Sequence, residues 1–180
     1  MCGKGLLPRK KRFFSAYTLI ELIMVIVIIG ILAAIAIPRV TSFHSIMFSG
    51  AMKKIVENIR YVQQIAITKH TNCRIIFNPG NETYLAQEES PGGSNTWVAI
   101  TDPFSRANLI VNFINDAQYQ GINITDANFG NTPTLRFNWE GIPQNATGAN
   151  FTSDGLVNFI YKDNNNTIYV SPYTGRVRIQ

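Results

Sequence analysis

From Leu19 to Ile37 the chain runs through nineteen residues that are apolar or glycine, with one exception, the carboxylate of Glu21. A helix that is greasy on every side cannot lie on the surface of a soluble domain. The run is close to the roughly 20 residues that span a bilayer. The sequence therefore predicts a membrane-competent helix near the N-terminus, with a globular part following it. A charge at the centre of such a run costs about 2.5–3.5 kcal/mol on insertion scales and usually marks function. Glu21 is the residue that a plain anchor leaves unexplained.

The charge distribution orients this helix. Lys4, Arg9, Lys10, Lys11 and Arg12 precede it with no acid among the first 16 residues. The whole chain has 16 bases and 11 acids, so the remainder is formally neutral. The high isoelectric point belongs to the leader and argues against a general nucleic-acid surface on the bulk of the protein. The basic block should stay cytoplasmic, which places everything after Pro38 on the other side. The apolar run is longer than the core of an ordinary secretory signal, and "AIAIPRV" is a poor A-x-A cleavage site.

The stretch "AYTLIELIMVIVIIGILAAIAIP" (16–38) resembles the class III signal of type IV pilins and type II secretion pseudopilins. That pattern is a basic leader, a small residue, the cut, an aromatic and then Thr-Leu-Ile-Glu-Leu. The resemblance implies cleavage between Ala16 and Tyr17 by a prepilin peptidase, N-methylation of Tyr17, and a subunit-assembly role for Glu21, the fifth mature residue. It also assigns helix flexibility to Gly30 and Pro38. Two departures stand out: Ala16 replaces the usual glycine and Tyr17 the usual phenylalanine. The physics of the assembly role is simple. The new amine of a neighbouring subunit about 4 Å from Glu21 would attract it by ~4 kcal/mol at an effective dielectric of 20. The competing reading is that Glu21 snorkels to the headgroups.

The rest of the chain suits this picture. Met52, Ile55, Ile59, Val62 and Ala66 recur at spacings of 3 and 4, one apolar stripe on a helix. The helix is predicted from about Thr18 to about His70, bent near Pro38, where a hydrogen bond is lost. Strands follow: "CRIIF", "ETYLAQ", "TWVAIT", "LIVNFI", "INIT", "TLRFNW", "LVNFIYK", "TIYVS" and "RVRI". They are separated by turns such as "NPGN", "DNNN" and "PYTG". "ESPGGSN" and residues 138–150 read as loops. The fold class is α+β, pilin-like, a long N-terminal helix on antiparallel β-sheet. The organisation is a leader at 1–16, removed; a transmembrane and filament-core helix at 17–38; an amphipathic helix half at 39–70; and a β-rich head at 71–180. "NIRYVQQIAITKHTNCRIIFNPGNETYLA" and "VSPYTGRVRI" resemble, more narrowly, the GspH/FimT branch of minor pseudopilins.

Chemistry-bearing residues are sparse. His44 and His70 are the two histidines, and no spacing suits a metal. Cys73 opens an apolar strand and reads as a small buried hydrophobe. No cofactor and no enzymatic activity are expected. "GRVR" places Arg176 and Arg178 on one face of a strand, with Val177 and Ile179 turned inward. Some members of the resembled branch use such a C-terminus to bind DNA, which makes these two arginines, aided by Arg136 or Lys162, the DNA-binding candidates. The leading reading is a minor pilin or pseudopilin that initiates or caps a type II secretion pseudopilus or type IV pilus. A DNA-binding tip subunit is the alternative. A main fibre subunit is the third reading, disfavoured by the branch resemblance. The implied partners are sister pilins, the prepilin peptidase, an inner-membrane assembly platform, and membrane lipid before assembly. The implied location is the bacterial inner membrane, with a periplasmic head, and then a periplasmic or surface filament.

Overall fold

The computed structural model describes residues 17–180, the side chains of 35–43 excepted. The leader at 1–16, with Ala16, lies outside the described residues. The chain divides into two units, Met1–Phe43 and His44–Gln180. The first contains the opening stretch of helix α1, which runs Leu19–Lys69. Pro38 falls inside α1, but its side chain lies outside the described residues.

The second unit contains the closing stretch of α1 and ten strands. These are β1 Cys73–Asn78, β2 Thr83–Glu89, β3 Trp97–Ala99, β4 Ile110–Asn112, β5 Ile122–Asn128, β6 Thr134–Phe137, β7 Pro143–Gln144, β8 Gly155–Tyr161, β9 Asn164–Val170 and β10 Val177–Ile179. The strands form two antiparallel sheets rather than one. The first has the order β3-β2-β1-β6-β7, with β4 also on β2; the second is β10-β9-β8-β5. On the outer edge of β2, β4 pairs with Thr83–Leu85 and β3 with Gln87–Glu89. Glu82 ties the two sheets together: its carboxylate accepts the amide of Ile124 at 2.6 Å.

The helical stripe packs as the spacing predicts. Met52, Ile55, Ile59, Val62 and Ala66 are all buried against the sheets, joined by Phe48, Ala51 and Val56. Alternation along β1, β2, β8 and β9 supplies the other side, with Ile75, Phe77, Tyr84, Ala86, Val157, Phe159, Ile168 and Val170 turned inward. An aromatic cluster links Phe77, Tyr84, Phe113, Phe129 and Phe159 at centroid separations of 5.6–5.9 Å, an ordinary favourable ring spacing. Among these apolar side chains sits one polar residue of the helix, Asn58. Its Nδ2 donates to the buried Tyr84 hydroxyl at 2.7 Å, so each partner satisfies the other.

The helix closes at its predicted end. His70 takes the left-handed conformation (φ 51°) and the Thr71 amide donates back to the Ala66 carbonyl at 3.2 Å. That is a Schellman closure with histidine where glycine is usual. The His70 ring stacks on Trp139.

Three local expectations are corrected. The β8–β9 hairpin turns at Lys162–Asp163, not across "DNNN": Tyr161 pairs with Asn164, and the three asparagines belong to β9. The two-residue loop has Lys162 at φ 52°, the positive value that primed hairpin turns require. Within the 138–150 loop, Pro143–Gln144 pairs with β6 as the short edge strand β7. Ile179 is 39% exposed rather than buried, because it lies at the end of the edge strand β10.

Candidate functional site

The start of α1 is built by its own sequence. Thr18 is the N-cap. Its hydroxyl accepts the Glu21 amide at 3.3 Å, and its carbonyl accepts the amides of Glu21 and Leu22 at 3.1 and 3.2 Å. A threonine cap followed three residues later by glutamate is the capping-box pattern. The signal is present in "TLIE", and it gives Thr18 the role of fixing where α1 begins. Glu21 stands in the first turn, where the helix dipole favours an anion by about 0.3–1 kcal/mol. No hydrogen bond or ion pair engages its carboxylate among the described residues, so its charge is open to a partner.

From Tyr17 to Ala34 every side chain is exposed, including Leu19 at 78% and Ile26 at 56%. Soluble monomers rarely show contiguous apolar patches above a few hundred Å². This surface is fit for lipid or for the helices of other subunits. Gly30 stands in it with open space around its Cα. Among the described residues no helix is long and apolar enough to cross a membrane. The run in the sequence continues to Ile37, and residues 35–37 are among those whose side chains are not described.

The C-terminal arginines are held differently from one another. Arg178 lies on β10 opposite Tyr169, stacks over that ring at 5.2 Å, and forms an ion pair with Asp154. Arg176 precedes the strand and is exposed. The Gly175 beside it takes the left-handed φ of 65° that favours glycine, and it packs against the helix. A Cβ there would meet Nε2 of Gln63 at 2.5 Å, and that amide donates to the carbonyls of Gly141 and Thr174. "TGR" is thus a docking contact for α1 before it is anything else. Neither candidate helper joins this pair. Arg136 is on the other sheet, and Lys162 is in the turn before β9, whose first residue, Asn164, already lies five residues or ~17 Å along the strand from Tyr169.

Cys73 is fully buried at the start of β1. Burial, with a smaller push from Glu88 and an opposing pull from Lys69, raises its thiol to about 12. A thiol held neutral is a packing group, not a nucleophile.

Comparison with known proteins agrees with this geometry. Residues 11–37 match the prokaryotic N-terminal methylation motif. The fold is similar to that of the minor pseudopilin EpsH from the type 2 secretion system of Vibrio cholerae. The TM-score is 0.54 at 10% identity, over 73% of this chain and 94% of that one. The type IV minor pilin FimU of Pseudomonas aeruginosa aligns with a TM-score of 0.48 at 9% identity, over 73% of this chain and 87% of the other. No curated protein matches the chain. The chain thus carries a methylation motif at its start and shares the helix-on-antiparallel-sheet fold of the minor pseudopilin EpsH.

Proposed function

We propose that this chain is a structural minor pilin or pseudopilin subunit of the GspH/FimT kind, one that initiates or caps a short envelope filament. The observation that carries this is the first stretch of α1. It is apolar on every exposed face, bears at Glu21 a carboxylate with no partner among the described residues, and lies within a methylation motif. In this reading a prepilin peptidase cuts between Ala16 and Tyr17 and methylates the Tyr17 amine. The helix rests in the inner membrane with the head in the periplasm, and an assembly platform passes it into a filament of sister pilins. There Glu21 meets the amine of a neighbour, a pairing that rewards one axial register, because an unpaired carboxylate among apolar helices is costly. Gly30 and Pro38 loosen the helix for packing. The role is architectural rather than catalytic.

The DNA-tip alternative finds little support in the head. Asp154 already occupies Arg178, and Arg176 alone would give weak, salt-sensitive contact with phosphate. The subunit reading is tested by Glu21→Ala in cells that make the sister pilins. Membrane insertion should persist, since a charge leaves the apolar run, while co-purification with the other pilins should drop. Undiminished co-purification would remove the pairing role.

A further inference from the structure

The outer face of the first sheet holds a side-chain cluster that the filament role does not use. Register places Ala99, Gln87, Arg74, Arg136 and Gln144 in one row across β3, β2, β1, β6 and β7. Two guanidinium groups thus stand directly opposite each other on neighbouring strands, where like charges destabilise a sheet. No ion pair relieves the arrangement: among the described residues neither arginine forms one, and Arg74 Nε donates only to the neutral Gln87 at 2.9 Å. Arg136 Nε is shut away from solvent with no hydrogen-bond partner.

The Glu89 carboxylate, which feels the Arg136 charge, is already committed. Glu89 accepts from Asn72 Nδ2 at 2.6 Å and from the Asn95 amide at 2.7 Å. Burial alone would raise its carboxyl. Those hydrogen bonds, with the Gly93 amide and the more distant Arg136 charge, outweigh burial and hold it below the usual range. Trp97 covers the arginines on one side, its ring 4.0 Å from the Arg74 guanidinium carbon and 5.5 Å from that of Arg136. The next row along the sheet runs Ile110, Leu85, Ile76 and Thr134, apolar but for its last member, with Ile110 54% exposed.

We propose that this face, centred on Arg74, Arg136 and Trp97, is a docking surface for an acidic segment of a partner protein, whose carboxylates enter between the two guanidinium groups. Charge complementarity selects the occupant. Two sheltered forks with free donors suit carboxylates, each able to accept two parallel hydrogen bonds. Arginine and tryptophan are also the residue types that dominate protein interface energetics. The apolar row beside them favours a protein over a nucleic acid, as does the formal neutrality of residues 17–180. The inference concerns the head alone and stands whether or not the filament reading does.

The test uses the full chain in detergent with Trp139→Phe, which leaves Trp97 as the single tryptophan. The probe is a capped hexapeptide alternating glutamate and leucine, with its glutamine counterpart as control. The glutamate peptide should change Trp97 fluorescence saturably and the glutamine peptide should not. Arg74→Gln and Arg136→Gln should each weaken binding roughly tenfold or more, the scale of a charge-assisted hydrogen bond, while Arg178→Gln leaves it unchanged. If Arg136→Gln fails to fold, Arg136→Lys keeps the charge and should still lose affinity, because lysine lacks the planar fork. Absence of a saturable response, or an equal response in the arginine variants, overturns the proposal. So does tighter binding of a short oligothymidylate than of the peptide at the same arginines, which would make the surface a nucleic-acid site.

Discussion

One helix, α1, contains two stretches with opposite relations to their surroundings. From Tyr17 to Ala34 every side chain is exposed and nearly all are apolar. From Ala51 to Ala66 the apolar residues fall on a stripe that the sheets bury or half-bury, and the outward positions hold Lys53, Glu57, Arg60 and Gln64. The second stretch finds its apolar partner within the same chain. The first does not, among the described residues, and its greasy surface is suited to apolar surroundings rather than to water. A helix's period tells where a core is, but its uniformity tells that the core belongs to something else.

That contrast can be broken by substitution. The largest effect is expected at Phe137, a fully buried ring. Phe137→Ala should cost about 3–5 kcal/mol of head stability, read as a fall in the thermal midpoint of the full chain in detergent. Ile26→Ala, in the exposed stretch, should leave the same midpoint in place. Equal losses would show that the exposed stretch contributes to the head's core after all.

A smaller effect sharpens the comparison inside the buried stretch. Asn58→Ala leaves the Tyr84 hydroxyl without its partner in the core and should cost roughly 1–3 kcal/mol. Made on a Tyr84→Phe background, the same substitution should cost less, because the orphaned group is gone. Equal costs in a double-mutant cycle would mean the hydrogen bond is not what holds Asn58 there.

Smaller again is the cap of the exposed stretch. Thr18→Ala should cost about 0.5–2 kcal/mol locally. It should speed amide exchange of Glu21 and Leu22 without moving the head's melting point. The least effect is a flat line: between pH 6 and about 9, Cys73 should add no pH dependence to stability. Its folded value is raised from 9.0 to about 12, so the fold binds the proton more tightly than the unfolded chain does. The stability this represents is intact below pH 9 and is lost as pH rises towards 12. Iodoacetamide at pH 8 should accordingly label Cys73 only after denaturation.

Much of this was legible in the sequence. The apolar run, the 3-and-4 stripe and the alternation in "CRIIF" and "LVNFIYK" each report a face buried by one dominant force. The division into two sheets was not legible, because it depends on β6 crossing to β1 while β5 pairs with β8, a choice made by long-range pairing. "DNNN" looked like a turn because asparagine favours turns, yet register assigned that turn to the residues before it. The fate of the arginines was hidden for the same reason. Arg178 meets Asp154 from 24 positions away, and Arg74 meets Arg136 across two strands distant in sequence. No local pattern encodes such a partner.

Intact-mass analysis of the protein recovered from membranes bears most directly on the central claim, that the exposed apolar stretch begins a processed filament subunit. The account predicts a chain that has lost residues 1–16 and carries one methyl group on the Tyr17 amine. A chain retaining Met1, or one cut elsewhere in the run, would contradict it.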